Sequence, residues 1–232
     1  MTTVSEAIKK RHSARAFTDR DVDIDTVKSI IQIAKQSPSG VNTQPWNVYV
    51  LSGDARDKLV NEATSRYDQG KMDGQEYLVY PKEMPDWYKE RRRGVGWAMY
   101  GALGIEKGDT EKMMAQGRKN YEFFGAPVGI FVTVKNCVGP NGWGHVGHFI
   151  QNICLLAIEN GLATCLQEAW AELPKLLREH INYPDDETLW CGIALGYEDE
   201  ADPVNQFRTE REDLENFSKF LRLIVAILFI AF

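Results

Sequence analysis

The amino-acid sequence predicts an α+β domain with a mixed central sheet flanked by helices, and three observations lead there. The 232 residues are 44% hydrophobic and 11% aromatic, enough to bury one large core. Residues 127–134 and 188–195 are apolar nearly throughout, as strands covered on both faces are. Segments of helical period are interspersed with strand runs, but not in a regular βαβ series.

The elements follow from the N-terminus. Thr3 and Glu6 have the spacing of a capping box and open a short helix ending near Lys10. Asp23 can cap a second helix, whose Val27, Ile30, Ile31 and Ala34 recur at three and four residues and make one apolar face. Ser37-Pro38-Ser39-Gly40 must stop it. After a turn-rich stretch to Gln44-Pro45, Trp46 to Leu51 is a strand by its β-branched and aromatic content. Ser52-Gly53-Asp54 breaks that strand and caps a polar helix over residues 56–65.

Residues 67–108 carry the aromatic pairs Tyr77/Tyr80, Trp87/Tyr88 and Trp97/Tyr100 among charges, Pro81, Pro85 and several glycines. The segment reads as an irregular lid or binding loop with room for short helices. Residues 109–121 look helical. Past a glycine-rich connection at 139–142, a helix over 143–160 carries Phe149, Ile153, Leu156 and Ala157 and ends at Gly161. It is the most apolar helix in the chain, suited to the centre of a core or to a subunit interface. A further short helix spans 172–180. The whole reads as one domain over residues 1–220 with an apolar tail at 221–232. As a helix the tail spans only about 18 Å, too short for a bilayer, whereas extended it suits a strand added to an open sheet edge.

Composition narrows the function. A net charge of -6 cannot supply the broad basic face of a general nucleic-acid binder. Cys137, Cys154, Cys165 and Cys191 are widely spaced, which indicates neither a disulfide framework nor a zinc site. With no leader pattern at the N-terminus, a reducing cytoplasmic setting is the expectation. Gly94-Val95-Gly96 leads to Met99 where a dinucleotide turn needs glycine or alanine, and no strand precedes it. His145 and His148 share a helix start, but no carboxylate or thiol in that run completes a metal set.

The most informative stretch is Arg11-His12-Ser13-Ala14-Arg15, which places two guanidinium forks and a hydroxyl within five residues. Such a set suits a phosphate or carboxylate. A solvated basic helix end, favoured by the macrodipole, has the same residues.

Further motifs decide between these readings. Arg11-x-Ser13-x-Arg15, followed by residues 37–46 (Ser-Pro-Ser-Gly-Val-Asn-Thr-Gln-Pro-Trp) leading into a strand, resembles the FMN-dependent nitroreductase family. The likeness continues through Asn120 to Val128, through Gly161-Leu162-Ala163-Thr164-Cys165-Leu166-Gln167, and through Gly192 to Tyr197 with Asn205, Arg208 and Arg211. It covers roughly residues 3–218, and the order of several separate motifs makes it specific.

The resemblance implies a homodimeric flavoenzyme. Arg11, His12, Ser13 and Arg15 would hold the FMN phosphate and ribityl chain, with Arg15 reaching the pyrimidine edge, and Arg208 and Arg211 would add charge at the phosphate. Pro38, Ser39, Gly40, Asn42 and Gln44 would come from the second subunit. The backbone of Leu166, Gln167, Glu168 and Ala169 would face flavin N5. Leu166 departs from the family's usual proline and His145 from its frequent aspartate; both changes are expected to modulate binding. NADH or NADPH would donate hydride, and a nitroaromatic or quinone-like acceptor would take it, each in turn on the same flavin face. Trp87, Tyr88 and Arg91 are the substrate candidates, the aromatics stacking on a planar acceptor and residues 91–93 attracting a carboxylate, unless those arginines form a solvated helix face. Reductive dehalogenation, ene reduction and simple flavin binding are the alternatives.

Overall fold

The structure, a computed structural model, describes residues 2–221. Its centre is a four-stranded sheet in the order β1-β2-β4-β3, built from β1 (Trp46–Ser52), β2 (Val128–Lys135), β3 (Ala163–Gln167) and β4 (Glu187–Gly196). All three strand pairs are antiparallel. The expectation of a mixed sheet is corrected to that extent: the parallel pairing among the described residues is an isolated bridge between Ser13 and Thr164. The two apolar runs are the two central strands, and seven of the eight residues of β2 are buried.

Helices cover both faces. On one side α6 (Pro140–Glu159) lies against the sheet with α1 (Val4–Lys10) and α2 (Ile24–Ala34) packed on it. Val146, Phe149, Ile153 and Ala157 recur at three and four residues along α6 and are all fully buried with Ile130, Val132 and Ile193 of the sheet. The core reading of this helix therefore holds, and Pro140 at its first turn lengthens it beyond the expected start. Gly161 ends it at φ +71°, the left-handed position glycine occupies without strain. Thr3 and Glu6 form the expected capping box, and the Asp23 carboxylate accepts from the Asp25 N–H to cap α2.

On the other face α3 (Gly53–Asp68) and α7 (Pro174–Ile181) enclose a second core around Trp170, which packs on Tyr121, Phe123 and Phe131 at centroid distances of 4.9–5.3 Å. Ser52 stands before α3, but its side chain makes no capping bond, contrary to expectation. Residues 67–108 are not wholly irregular: they contain the 17-residue α4 (Asp86–Ala102). None of its residues is buried, so no apolar stripe betrays it in sequence. α5 (Thr110–Arg118) follows, capped by Asp109. A short α8 (Leu214–Phe217) closes the described chain. The strand expected of the tail falls on residues 222–232, outside the described residues.

Candidate functional site

The chain's N-terminal loop is pinned to the edge strand β3. The Ala14 N–H donates to the Thr164 carbonyl at 3.1 Å beside the Ser13–Thr164 bridge, and Thr18 N–H donates to the Tyr197 carbonyl at 2.9 Å. These bonds place Ser13 and Arg15 along β3, where Cys165, raised to a pKa of about 11 chiefly by burial, is held back most by the charge of Arg15 and the hydrogen bond of Ser13. Arg11 acts on the same thiol.

Asn205 brings in the C-terminal arginines. It is 1% exposed; its Oδ1 accepts from the Arg15 N–H at 2.8 Å, and its Nδ2 donates to the carbonyls of Ala16 and Asp199 at 2.8 and 2.9 Å. The Arg208 guanidinium donates to the Asn205 carbonyl at 2.5 Å, and Arg15 sits 5.8 Å from the Phe207 ring centroid. Arg11, Ser13, Arg15 and Arg208 thus gather at one edge of the sheet, with Arg211 three residues further on.

What these guanidiniums lack is as informative as where they sit. Among the described residues none of Arg11, Arg15, Arg208 and Arg211 forms an ion pair, in a chain that is acidic overall. Arg15, Arg208 and Arg211 donate mainly to nearby backbone carbonyls. Uncompensated cations crowded together favour a multivalent anion such as a phosphate monoester. His12 behaves differently. Its Nδ1 lies 2.9 Å from the Lys10 carbonyl and its Nε2 2.8 Å from the Glu198 carboxylate, so both ring nitrogens are engaged by the fold.

At its other end β3 runs into a 3-10 helix, Glu168–Glu172. The first N–H groups of such a helix have no partner within it, so the backbone at Glu168 and Ala169 can donate outward. Gln167 is 1% exposed; its Nε2 donates to the Asn120 carbonyl at 2.5 Å, while its Oε1 is buried without a partner among the described residues. A ribityl chain and a flat, polar-edged ring would meet these groups, so the residues present fit FMN. Leu166 lies within β3 at 40% exposure, and the chain passes there as a regular strand.

The loop carrying Pro38, Ser39, Gly40, Asn42 and Gln44 stands apart from this cluster. It leads into β1, the opposite edge strand, which three strand spacings of about 4.8 Å each separate from β3. Val41, Asn42 and Gln44 have φ of 44°, 58° and 46°, and Val41 is 99% exposed. A β-branched residue held at positive φ is strained, and such strain concentrates at binding sites. Among the bonds that hold it, Gly40 N–H donates to His145 Nε2 at 3.1 Å, and Gln44 N–H to Ser39 Oγ at 3.0 Å. His145 is therefore a loop anchor, a role that only its long-range contact reveals.

α4 borders the arginine cluster by packing on the 3-10 helix Pro203–Asn205. Trp87 and Tyr88 are neighbours at 5.5 Å, and Arg91 lies 5.4 Å from the Trp87 centroid and pairs with Glu212. Arg92 stacks on Tyr80 at 4.6 Å. All three arginines are exposed, as a solvated helix face requires, and Arg91 and Arg92 also touch neighbouring side chains.

Fold and site together define an α+β protein with an unneutralised arginine cluster along the edge of an antiparallel sheet. The chain belongs to the Nitroreductase family, whose profile matches residues 8–197. It is 34% identical to the nitrobenzene nitroreductase of Ectopseudomonas oleovorans over 94% of this chain and 96% of that one. It is 36% identical to the 4-nitrobenzoate reductase of Nocardioides sp. (strain LMS-CY), over 92% and 88%. The solved structure of the FMN and NADPH-dependent nitroreductase NfnB from Sphigopyxis sp. strain HMH superposes with a TM-score of 0.90 at 37% identity, covering 95% of this chain and 100% of that one.

Proposed function

We propose that this protein is an FMN-dependent oxidoreductase that takes hydride from NADH or NADPH and passes it to nitroaromatic or quinone-like acceptors. The observation that carries the reading is the pair of ion-pair-free guanidiniums Arg15 and Arg208, tied together by Asn205 at the β3 edge, with Arg11 and Arg211, likewise without an ion pair among the described residues, nearby in the chain. They would hold the phosphate, with Ser13 beside them, while the outward N–H groups at Glu168 and Ala169 would steady the ring edge. FMN, when bound, supplies the hydride chemistry. The chain's own residues bind, orient and shield.

The functional unit we infer is a homodimer. Val4, Ile8 and Ile33 on α1 and α2 are 71%, 53% and 51% exposed, and Val4 and Ile33 line a cavity of about 320 Å³ with Thr3, Ala7, Leu155 and Leu156. An apolar face of this kind suits a second copy. A partner would also bring the strained loop of Pro38 to Gln44 to the site that its own chain does not reach. Among the described residues no helix is long and apolar enough to cross a membrane.

The test begins with the absorbance spectrum and flavin content of purified protein, followed by NAD(P)H-dependent reduction of a nitroarene. Because donor and acceptor would occupy one planar slot in turn, double-reciprocal plots at several fixed acceptor concentrations should be parallel. Colourless protein that takes up no FMN would overturn the reading, and intersecting lines would overturn the shared slot.

A further inference from the structure

We propose that His145 is a positioning residue whose protonation loosens the loop from Pro38 to Gln44, so that the grip of the holoenzyme on FMN weakens as pH falls. The inference rests on the flavoprotein reading above, in which that loop meets the cofactor in a dimer.

His145, Phe149 and Asn152 share one face of α6, at spacings of four and three, and hold the loop at three points. Asn152 Nδ2 donates to Ser37 Oγ at 2.7 Å, Phe149 stacks on Trp46 at 4.9 Å with the rings 3° from parallel, and His145 Nε2 accepts from the Gly40 N–H at 3.1 Å. The first two contacts fall at the loop's ends, the buried Ser37 and the first residue of β1. Of the three, the contact of His145 alone reaches the interior, beside Val41, Asn42 and Gln44 in the left-handed region. The ring comes this close because residue 40 is glycine: an added Cβ would stand 3.1 Å from His145 Cε1.

This contact is also the one of the three that responds to protons. To accept, Nε2 must carry its lone pair, so the neutral ring keeps its proton on Nδ1. Protonation turns Nε2 into a donor facing the Gly40 donor, and attraction gives way to repulsion. Imidazole is the side chain that makes such a change between pH 5 and 8. Among the described residues His145 has no other hydrogen bond and no ion pair. The surrounding groups leave the effect to this ring. Residues 37–46 contain no titratable side chain. Tyr77, edge-on to Trp143 near the same end of α6, donates to the Trp190 carbonyl at 2.6 Å and is kept protonated by burial, as is the Cys191 thiol. β2 carries Lys135 on the sheet's other face, paired with Glu187, and on α2 Lys28 pairs with Asp25. α1 and the end of α2 meet α6 at residues 152–159, beyond His145. His148, exposed on α6 with its ring centroid 6.3 Å away, is the neighbour that charges in the same range.

The test uses holoenzyme between pH 5.5 and 8.5. Imidazole 15N NMR, with His145 assigned by its absence in His145→Gln, should show the Nδ1–H tautomer at pH 8.5 and lose it on acidification, in step with a shift of the Gly40 amide. FMN release on dilution, followed by flavin fluorescence, should accelerate about fivefold more in wild type than in His145→Gln between pH 8.5 and 5.5. The glutamine carbonyl accepts at every pH, and titration of the FMN phosphate is common to both proteins. His145→Phe, with no acceptor, should release FMN fast at both ends of the range, and His148→Gln should follow wild type. An Nε2–H tautomer at pH 8.5, or one release curve shared by wild type and His145→Gln, would overturn the role of His145. Protein that carries no FMN would overturn the underlying reading and this inference with it, even with the Nδ1–H tautomer present, so the two failures are told apart.

Discussion

Asn205 ties the β3 edge to Arg15 across 190 residues of sequence: its Oδ1 accepts from the Arg15 N–H at 2.8 Å while its amide donates to Ala16 and Asp199. One buried side chain thus satisfies three backbone groups from two segments. Asn205→Ala leaves the Arg15 N–H unpaired and takes one of two donors from the carbonyls of Ala16 and Asp199, which keep the N–H groups of Asp199 and Asp202, so a loss of stability of about 1–3 kcal/mol is expected. Asn205→Asp keeps the acceptor but loses both donors, so it should also be destabilising. Urea denaturation of the three proteins checks this; an Ala variant as stable as wild type would show that the amide holds nothing.

Arg208 should matter to the cofactor more than to the fold, because among the described residues its own bonds reach only the carbonyls of Asn205 and Phe207. Charge-assisted bonds contribute about 1.5–3 kcal/mol, so Arg208→Ala and Arg11→Ala should each weaken FMN about tenfold or more. FAD should bind poorly, since its phosphate carries an adenylate into the same arginines. Fluorescence titration of apoprotein measures both; unchanged FMN affinity in the two variants would remove the phosphate assignment.

A pH dependence follows from the carboxylate shared by three strands. Glu187 is 3% exposed and accepts from the Tyr49 hydroxyl at 2.9 Å and the Thr133 hydroxyl at 2.5 Å, with Lys135 Nζ 3.1 Å away. Burial first, and then the bond to Glu187, push Tyr49 from 10.0 up to about 12. The folded state keeps this proton longer than the unfolded chain does, so the contribution is fully present below pH 10 and is lost as pH rises from there towards 12. Tyr121 and Tyr183, also raised by burial, steepen the same decline. Denaturant midpoints from pH 8 to 11.5 should fall on the alkaline side, and Tyr49→Phe should flatten part of that slope. A slope that is the same in both proteins would place the effect elsewhere.

How much of this could be read from sequence depends on how local each cause is. The Thr3/Glu6 box and the Asp23 cap depend on neighbours two or three residues away, and both appear as expected. β2 announces itself because both its faces are buried, Val128, Ile130, Val132 and Val134 on one and Phe131 and Thr133 on the other. β3 is only five residues between a helix end and a 3-10 turn, too short to stand out from a motif. α4 has no buried face and contains Gly94, Gly96 and Gly101, so neither periodicity nor propensity marks it. The antiparallel order is fixed by pairings such as Phe131 with Gly192, which no local pattern encodes. In the site, the arginines were legible by type and spacing. Asn205 as their organiser and His145 as the anchor of Gly40 were not, because each acts through contacts more than 100 residues away in sequence.

The last prediction links packing to the cofactor edge through Gly192. It pairs with Phe131 on one side and Gln167 on the other, and an added Cβ would stand 2.4 Å from Trp170 Cδ1 and 3.0 Å from its Nε1. Trp170 has no room to yield: it is fully buried, edge-on to Phe131 at 5.1 Å and to Tyr121 at 5.3 Å. Relief must come from shifting β4 or the 3-10 helix that begins at Glu168, and either moves the backbone proposed to meet the flavin. Gly192→Ala should therefore cost about 1–3 kcal/mol by overpacking and weaken FMN as well. Gly94→Ala makes the control, for no atom lies within 4 Å of its added Cβ and it sits inside exposed α4, where alanine should stabilise by roughly 0.5–1 kcal/mol. Urea midpoints and FMN titrations on the two variants should diverge in opposite directions for stability, and a Gly192→Ala protein with wild-type stability and affinity would show that the Trp170 contact does not constrain this edge.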